Sequence, residues 1–145
     1  MNHGLRFTAE KIAKRLDLIR PNVRIARHPI PEFTLELLPD ASAAPGTGSN
    51  EGKVDWDSYW AGQDTHFVLR SRFEVPRTYR RPALFLPLGI AGDIFSHPEA
   101  LLHVDGRPVA SADRYHQTVP IDAGLQDDRT HEVMLHGWTG LTGWP

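Results

Sequence analysis

The chain has no cysteine in its 145 residues. That excludes a disulfide framework, a thiolate nucleophile and a Cys-ligated zinc site. It has no surplus of either charge. Sixteen Lys and Arg against 18 Asp and Glu leave a formal net charge of -2, without the basic excess of a nucleic-acid binder. No apolar run approaches the roughly 20 residues of a membrane span. Charged residues from Arg6 to Asp17 break up the stretch where a signal peptide would need an uninterrupted apolar core. The expected compartment is therefore the cytoplasm, with neither nucleic acid nor membrane as a partner. A Gly-rich phosphate loop and a nucleophile elbow are absent as well.

What is there suits one soluble domain. The hydrophobic fraction is 40% and the charged fraction 23%, enough apolar residue to fill a core. Gly and Pro stand at 12 each, as many short strands joined by turns require. The one helix candidate is Thr8 to Ile19. Thr8 serves as its N-cap, Ile12, Leu16 and Ile19 make one apolar stripe, and Pro21 ends it. Lys11, Lys14 and Arg15 lie off that stripe and read as a solvated face.

Residues 1–38 thus form a helical and extended leader. Phe33, Leu35 and Leu37 alternate with Thr34, Glu36 and Leu38 at the period of a strand. Residues 39–52, rich in Gly, Pro, Ser and Ala, are expected to form a flexible loop. The main body is expected over 53–140. Phe67, Leu69, Phe73 and Val75 share one strand face with Ser71, and Pro76 stops that strand. Ala83 to Leu88 reads as a short central strand. Leu101 to Val104 runs into Asp105-Gly106, the strongest short-range hairpin signal, because both residues tolerate positive φ. Arg114 to Ile121 alternates with Tyr115, Val119 and Ile121 on one face. Asp127-Asp128-Arg129 marks a turn, and His131 to Trp138 is the last strand. About seven short strands and one leading helix predict an all-β antiparallel sandwich or jelly roll.

Three clusters could carry chemistry. His103 and Asp105 alternate onto one strand face, and with His116 could hold a divalent metal; against this, Asp105 is also the natural first residue of the hairpin turn. Asp55 and Asp57 form a carboxylate pair on a loop, where a turn role is the simpler reading. Trp56, Tyr59 and Trp60, with Asp113, Arg114 and His116, could form a sugar platform of aromatic faces and polar groups. The alternative is packing of the tryptophans in the core or against a neighbouring domain, with Arg114 paired to a carboxylate across that interface.

The ordered segments also carry a resemblance. Trp56 and Trp60 precede Phe67-Val-Leu-Arg-Ser-Arg-Phe-Glu-Val-Pro76. Ala83-Leu-Phe-Leu-Pro-Leu-Gly89 follows, then Ala100-Leu-Leu-His-Val-Asp-Gly-Arg-Pro-Val109, Asp113-Arg-Tyr-His-Gln117 and His131-Glu-Val-Met-Leu-His-Gly-Trp-Thr-Gly140. Over about two thirds of its length the chain resembles the galactose-binding-like N-terminal domain of cytosolic and vacuolar-type α-mannosidases of glycoside hydrolase family 38. Tyr115 stands where the family type has Asn.

The resemblance implies a non-catalytic domain beside a barrel that hydrolyses terminal α-mannosidic bonds with retention, using zinc and two carboxylates. The barrel, with its zinc ligands and nucleophile, lies outside these residues. No catalytic or metal residue is carried over, and no cofactor is expected in this chain. Its expected partners are that barrel, a homo-oligomer and a mannose-containing glycan. Residues 141–145 read as the start of a linker to the missing catalytic domain, with Leu141 and Trp144 packing against it, or else as a tail folded back on this domain. The rivals are a free-standing carbohydrate-binding module and a small jelly-roll metalloprotein.

Overall fold

The structure, a computed structural model, describes residues 8–54, 60–86, 88 and 98–141. It is mostly β, led by a helix. Helix α1 spans Thr8–Val23, with Thr8 as its first residue. Pro21 does not end it but sits in its last turn. Proline only removes one N–H there, and the side-chain amide of Asn22 donates to the Leu18 carbonyl at 3.1 Å.

Among the described residues eight strands follow: β1 (Thr34–Leu38), β2 (Ser49–Lys53), β3 (His66–Phe73), β4 (Ala83–Phe85), β5 (Glu99–Val104), β6 (Arg107–Asp113), β7 (Thr118–Pro120) and β8 (His131–Trp138). Six of them form one antiparallel sheet in the order β2-β1-β3-β8-β5-β6, and β4 pairs β7 in a second, two-stranded sheet. The centre of the large sheet is β3 against β8, in unbroken register from His66↔Trp138 to Phe73↔His131.

Alternation determines where the core lies. Phe67, Leu69, Ser71 and Phe73 of β3 point inward beside Val133 and Leu135 of β8, Leu102 and Val104 of β5, and Leu35 of β1. Leu84, Leu86, Leu88 and Val119, from the β4–β7 side, join the same cluster. Phe67, Leu69, Leu102 and Leu135 are fully buried, and each such side chain stabilises the fold by roughly 1.5–3 kcal/mol. The only buried polar side chain on the inner face of β3, Ser71, donates its hydroxyl to the Pro31 carbonyl at 2.7 Å.

Three expectations need correction. The supposed flexible loop 39–52 holds β2, which pairs with β1, so no linker separates a leader from the body. The turn is built from within: the Glu36 carboxylate accepts from the Gly46 and Gly48 amides at 2.6 and 2.9 Å, and Asp40 accepts from Ser42. Polar composition hid this strand because β2 lies at an edge and buries nothing.

The segment from Ala83 is not central. Only Leu84, Leu86 and Leu88 alternate inward, while Phe85 is half exposed under the Arg24 guanidinium, 4.0 Å from its ring. From Arg114 only Thr118–Pro120 is strand, and Tyr115 is exposed rather than in line with Val119. The hairpin, in contrast, forms where expected, with Asp105 at φ 49° and Gly106 at φ 74°. Among the described residues no helix is long and apolar enough to cross a membrane.

Candidate functional site: an open groove on the outer sheet face

Of the residues expected to build a sugar platform, the structure describes Trp60, Asp113, Arg114 and His116. Trp56, Tyr59 and Trp144 lie outside the described residues. Trp60 packs edge-on to Phe67, ring centroids 4.9 Å apart, against the core. Leu141 is exposed.

Asp113, Arg114 and His116 belong to one tight turn between β6 and β7. Asp113 Oδ1 accepts the Tyr115 and His116 amides, both at 2.7 Å, and its carboxylate meets His116 Nδ1 at 2.9–3.0 Å. The His116 hydrogen bond, with those amides, holds the Asp113 carboxyl below its ordinary range. His116 itself projects into solvent. Arg114 is buried and donates to the Tyr115 hydroxyl at 2.9 Å, with its guanidinium 4.8 Å from that ring. Gln117 closes the turn by donating to the Arg114 carbonyl at 2.6 Å. The motif Asp113–Gln117 is therefore a structural clasp, with Asp113 beside an open space.

That space lies on the outer face of the large sheet, opposite the core. Register places three rows of side chains there. Leu38, His66, Trp138, Glu99 and Asp113 form one row, and Glu36, Val68, His136, Leu101 and Ser111 the next. Arg70, Met134 and His103 form the third. An open groove of about 540 Å³ runs over the first two rows, lined by His66, Glu99, Leu101, Ser111, His136 and Trp138, with Asp113 at one side.

Trp138 is held from both sides. Its indole Nε1–H donates to Asp64 Oδ1 at 2.8 Å. Its ring stacks on His66, centroids 6.5 Å apart and planes 24° from parallel. Burial, then the neighbouring His103 and His66, pushes the His136 imidazole down, which favours its neutral form. Beyond the groove, Arg70 sits between Glu36 and Glu132, each 3.8 Å away.

The metal reading does not assemble. His103 faces outward on β5, Asp105 turns into the hairpin, and His116 is claimed by Asp113. Among the described residues no three His, Asp or Glu side chains are placed to hold an ion. Asp105 has a different partner. Its Oδ2 accepts from Nδ1 of buried His131 at 2.7 Å, and its Oδ1 accepts the Glu132 amide at 2.9 Å. His131 Nε2 faces Asp127 Oδ1 at 3.0 Å and the Leu125 carbonyl at 3.1 Å. Both ring nitrogens meet only acceptors, the arrangement of an imidazolium that donates twice.

Sequence reasoning missed the groove. Its residues are the outer-face positions of four strands, and only the pairing of β3, β8, β5 and β6 brings them together. The signal that was present is the aromatic and histidine content of the polar faces, His66, His136 and Trp138, where a merely solvated face would carry Lys, Glu or Thr. Compared with models of protein families, with curated proteins and with solved structures, the chain matches none of them.

Proposed function

We propose that this chain is the non-catalytic N-terminal β-sandwich domain of a retaining, zinc-dependent α-mannosidase of glycoside hydrolase family 38, and that it supports the catalytic barrel or the oligomer. The observation that carries a supporting role is helix α1. Ile12, Leu16, Ile19 and Val23 line one stripe, and every one is more than half exposed; no residue of the helix is buried. An isolated helix of 16 residues is marginal in water, so a stripe of this kind calls for a surface to cover it. A neighbouring domain or a second subunit supplies one, and exposed Leu141 adds to the same need at the other end of the described chain.

The galactose-binding-like arrangement is part of this reading. Its support is that the β4–β7 pair contributes Leu84 and Val119 to the same core as the six-stranded sheet. The Asp105-Gly106 hairpin and the Asp113–Gln117 clasp are the two local structures that correspond to the quoted motifs. Zinc, the nucleophile and the acid/base residue belong to the barrel in this account, and a cytoplasmic location goes with it.

The test is to express the whole open reading frame beside the 145-residue chain alone and assay an aryl α-mannoside. The full protein is expected to release mannose with retention and to lose activity on zinc removal, while this chain alone does not turn over. A frame that does not continue into a catalytic domain, or turnover by the chain itself, refutes the proposal.

A further inference from the structure

We infer that the groove on the outer face of the six-stranded sheet binds a neutral hexopyranose, with Trp138 as the platform for the C–H face of the ring and Glu99 and Ser111 as partners for its hydroxyls. The inference rests on the groove alone and is independent of the mannosidase reading.

The first support is the unused bonding capacity of the lining. The Glu99 carboxylate, the Ser111 hydroxyl and the His136 ring nitrogens have no hydrogen-bond or ion-pair partner among the described residues, although all three border one concavity. Other carboxylates are tied up: Asp113 by its own turn, Asp105 by His131, Glu36 by the Gly46 and Gly48 amides. The second support is preorganisation. The Asp64 bond and the His66 stack fix the indole before any ligand arrives, which lowers the ordering cost of binding. The third is size, since about 540 Å³ falls within the range of small-molecule sites.

Charge and bonding type then select the ligand. Two carboxylates, Glu99 and Asp113, border the groove and disfavour an anion. An ammonium or guanidinium offers donors only. It would satisfy Glu99 and leave the Ser111 hydroxyl and the N–H of neutral His136 without acceptors. A sugar hydroxyl both donates and accepts, and a pyranose adds an apolar face for Trp138 and Leu101. A neutral polyol ring therefore uses every group present.

The experiment is a titration of the ¹⁵N-labelled chain with methyl α-mannoside, methyl α-glucoside and methyl β-galactoside, and in parallel with arginine amide. The Trp138 indole N–H signal is assigned from its loss in Trp138→Phe. At least one hexoside is expected to shift that signal saturably, with Kd on the order of 1 mM. Glu99→Ala, at an exposed position that bears no structural bond, should weaken binding about tenfold. Arg77→Ala, which touches only Asp128 on the surface, should leave it unchanged. A response to arginine amide without one to any hexoside overturns the inference. So does a flat titration with all three sugars, or Glu99→Ala binding as well as the parent.

Discussion

His131 has an acceptor at each ring nitrogen and 2% exposure, and that combination ties stability to pH. Burial alone would push its imidazole down. The hydrogen bonds to Asp105 and Asp127 outweigh burial and raise it above the ordinary 6.5. A raised folded value means the folded state holds its proton longer than the unfolded chain. The stabilisation is complete below pH 6.5 and is lost as pH rises through the folded value.

The carboxylates act with the opposite sign. For Asp127, burial works upward, but Arg129 and His131 bring the group down to about 2. His131 and the Glu132 amide lower Asp105. The contribution of both is present above 3.8 and is lost as pH falls, for Asp127 as it nears about 2. His136, pushed down by burial and by its histidine neighbours, loses its contribution as pH drops below 6.5. It would mask His131 in the parent chain alone, so the difference between parent and variant is the quantity to measure. His131→Asn should cost about 2 kcal/mol below pH 6.5, and the deficit should shrink as pH rises. Thermal melts by circular dichroism across that range check it; a deficit independent of pH means the ring is neutral in the folded protein.

None of this was legible in the sequence. His131 reads as the first residue of a strand, and Asp105 and Asp127 read correctly as turn residues. The bond between them depends on two turns meeting at the start of β8. Asp113, conversely, was singled out as a sugar contact and is spent largely on its own turn, because an Asp followed by two amides folds onto them before it reaches a ligand.

Among elements, the pairing of β5 with β8 leaves no room for an added side chain. Gly137 lies opposite Ala100. A Cβ on Gly137 would come 2.2 Å from the Glu99 carbonyl and 2.8 Å from the Ala100 Cβ, so the strands must part to admit it. Gly106 presents the contrasting case, with φ +74° and nothing within 4 Å of a added Cβ. Gly137→Ala should cost about 2–3 kcal/mol and Gly106→Ala about 1 kcal/mol. Urea unfolding compares them, and a Gly137→Ala chain as stable as Gly106→Ala would show that the two strands separate easily. The hairpin over Gly106 was legible because Asp-Gly encodes its own backbone. The pairing at Gly137 was not, because a glycine within an alternating run gives no sign of which strand approaches it. Strand existence was read well for β1, β3, β5, β6 and β8, whose alternation is set by a buried face. It failed at β2, which buries nothing; β4 was legible as a strand, but its apolar run concealed an exposed Phe85 and a place outside the large sheet.

At the scale of the molecule, the core and helix α1 are energetically separate. The core unites both sheets, and α1 contributes no buried side chain to it. The triple variant Ile12→Lys, Leu16→Lys, Ile19→Lys should therefore change the unfolding free energy of the chain by less than about 0.5 kcal/mol. If the proposed neighbouring domain or second subunit covers the stripe, the same variant placed beside that partner should reduce the yield of the assembly. Calorimetry on the one and size-exclusion chromatography on the other separate the two effects. A large drop in stability of the isolated chain would mean that α1 packs on the sheets in solution. The apolar stripe itself was plain from its spacing; that it stands exposed among the described residues required the fold.

The six-stranded sheet has two open sides, and each turns further strands away. β2 offers Ser, Asn, Glu, Gly and Lys with no apolar side chain to reward a newcomer. On the far side, Pro108 has no amide to give, and the register breaks between Leu102 and His103. Both are recognised guards against lateral growth. A chain whose sheet is finished on both flanks can afford an uncovered helix and an aromatic-lined trough without recruiting copies of itself into fibrils, and whatever it recruits must come by way of side chains.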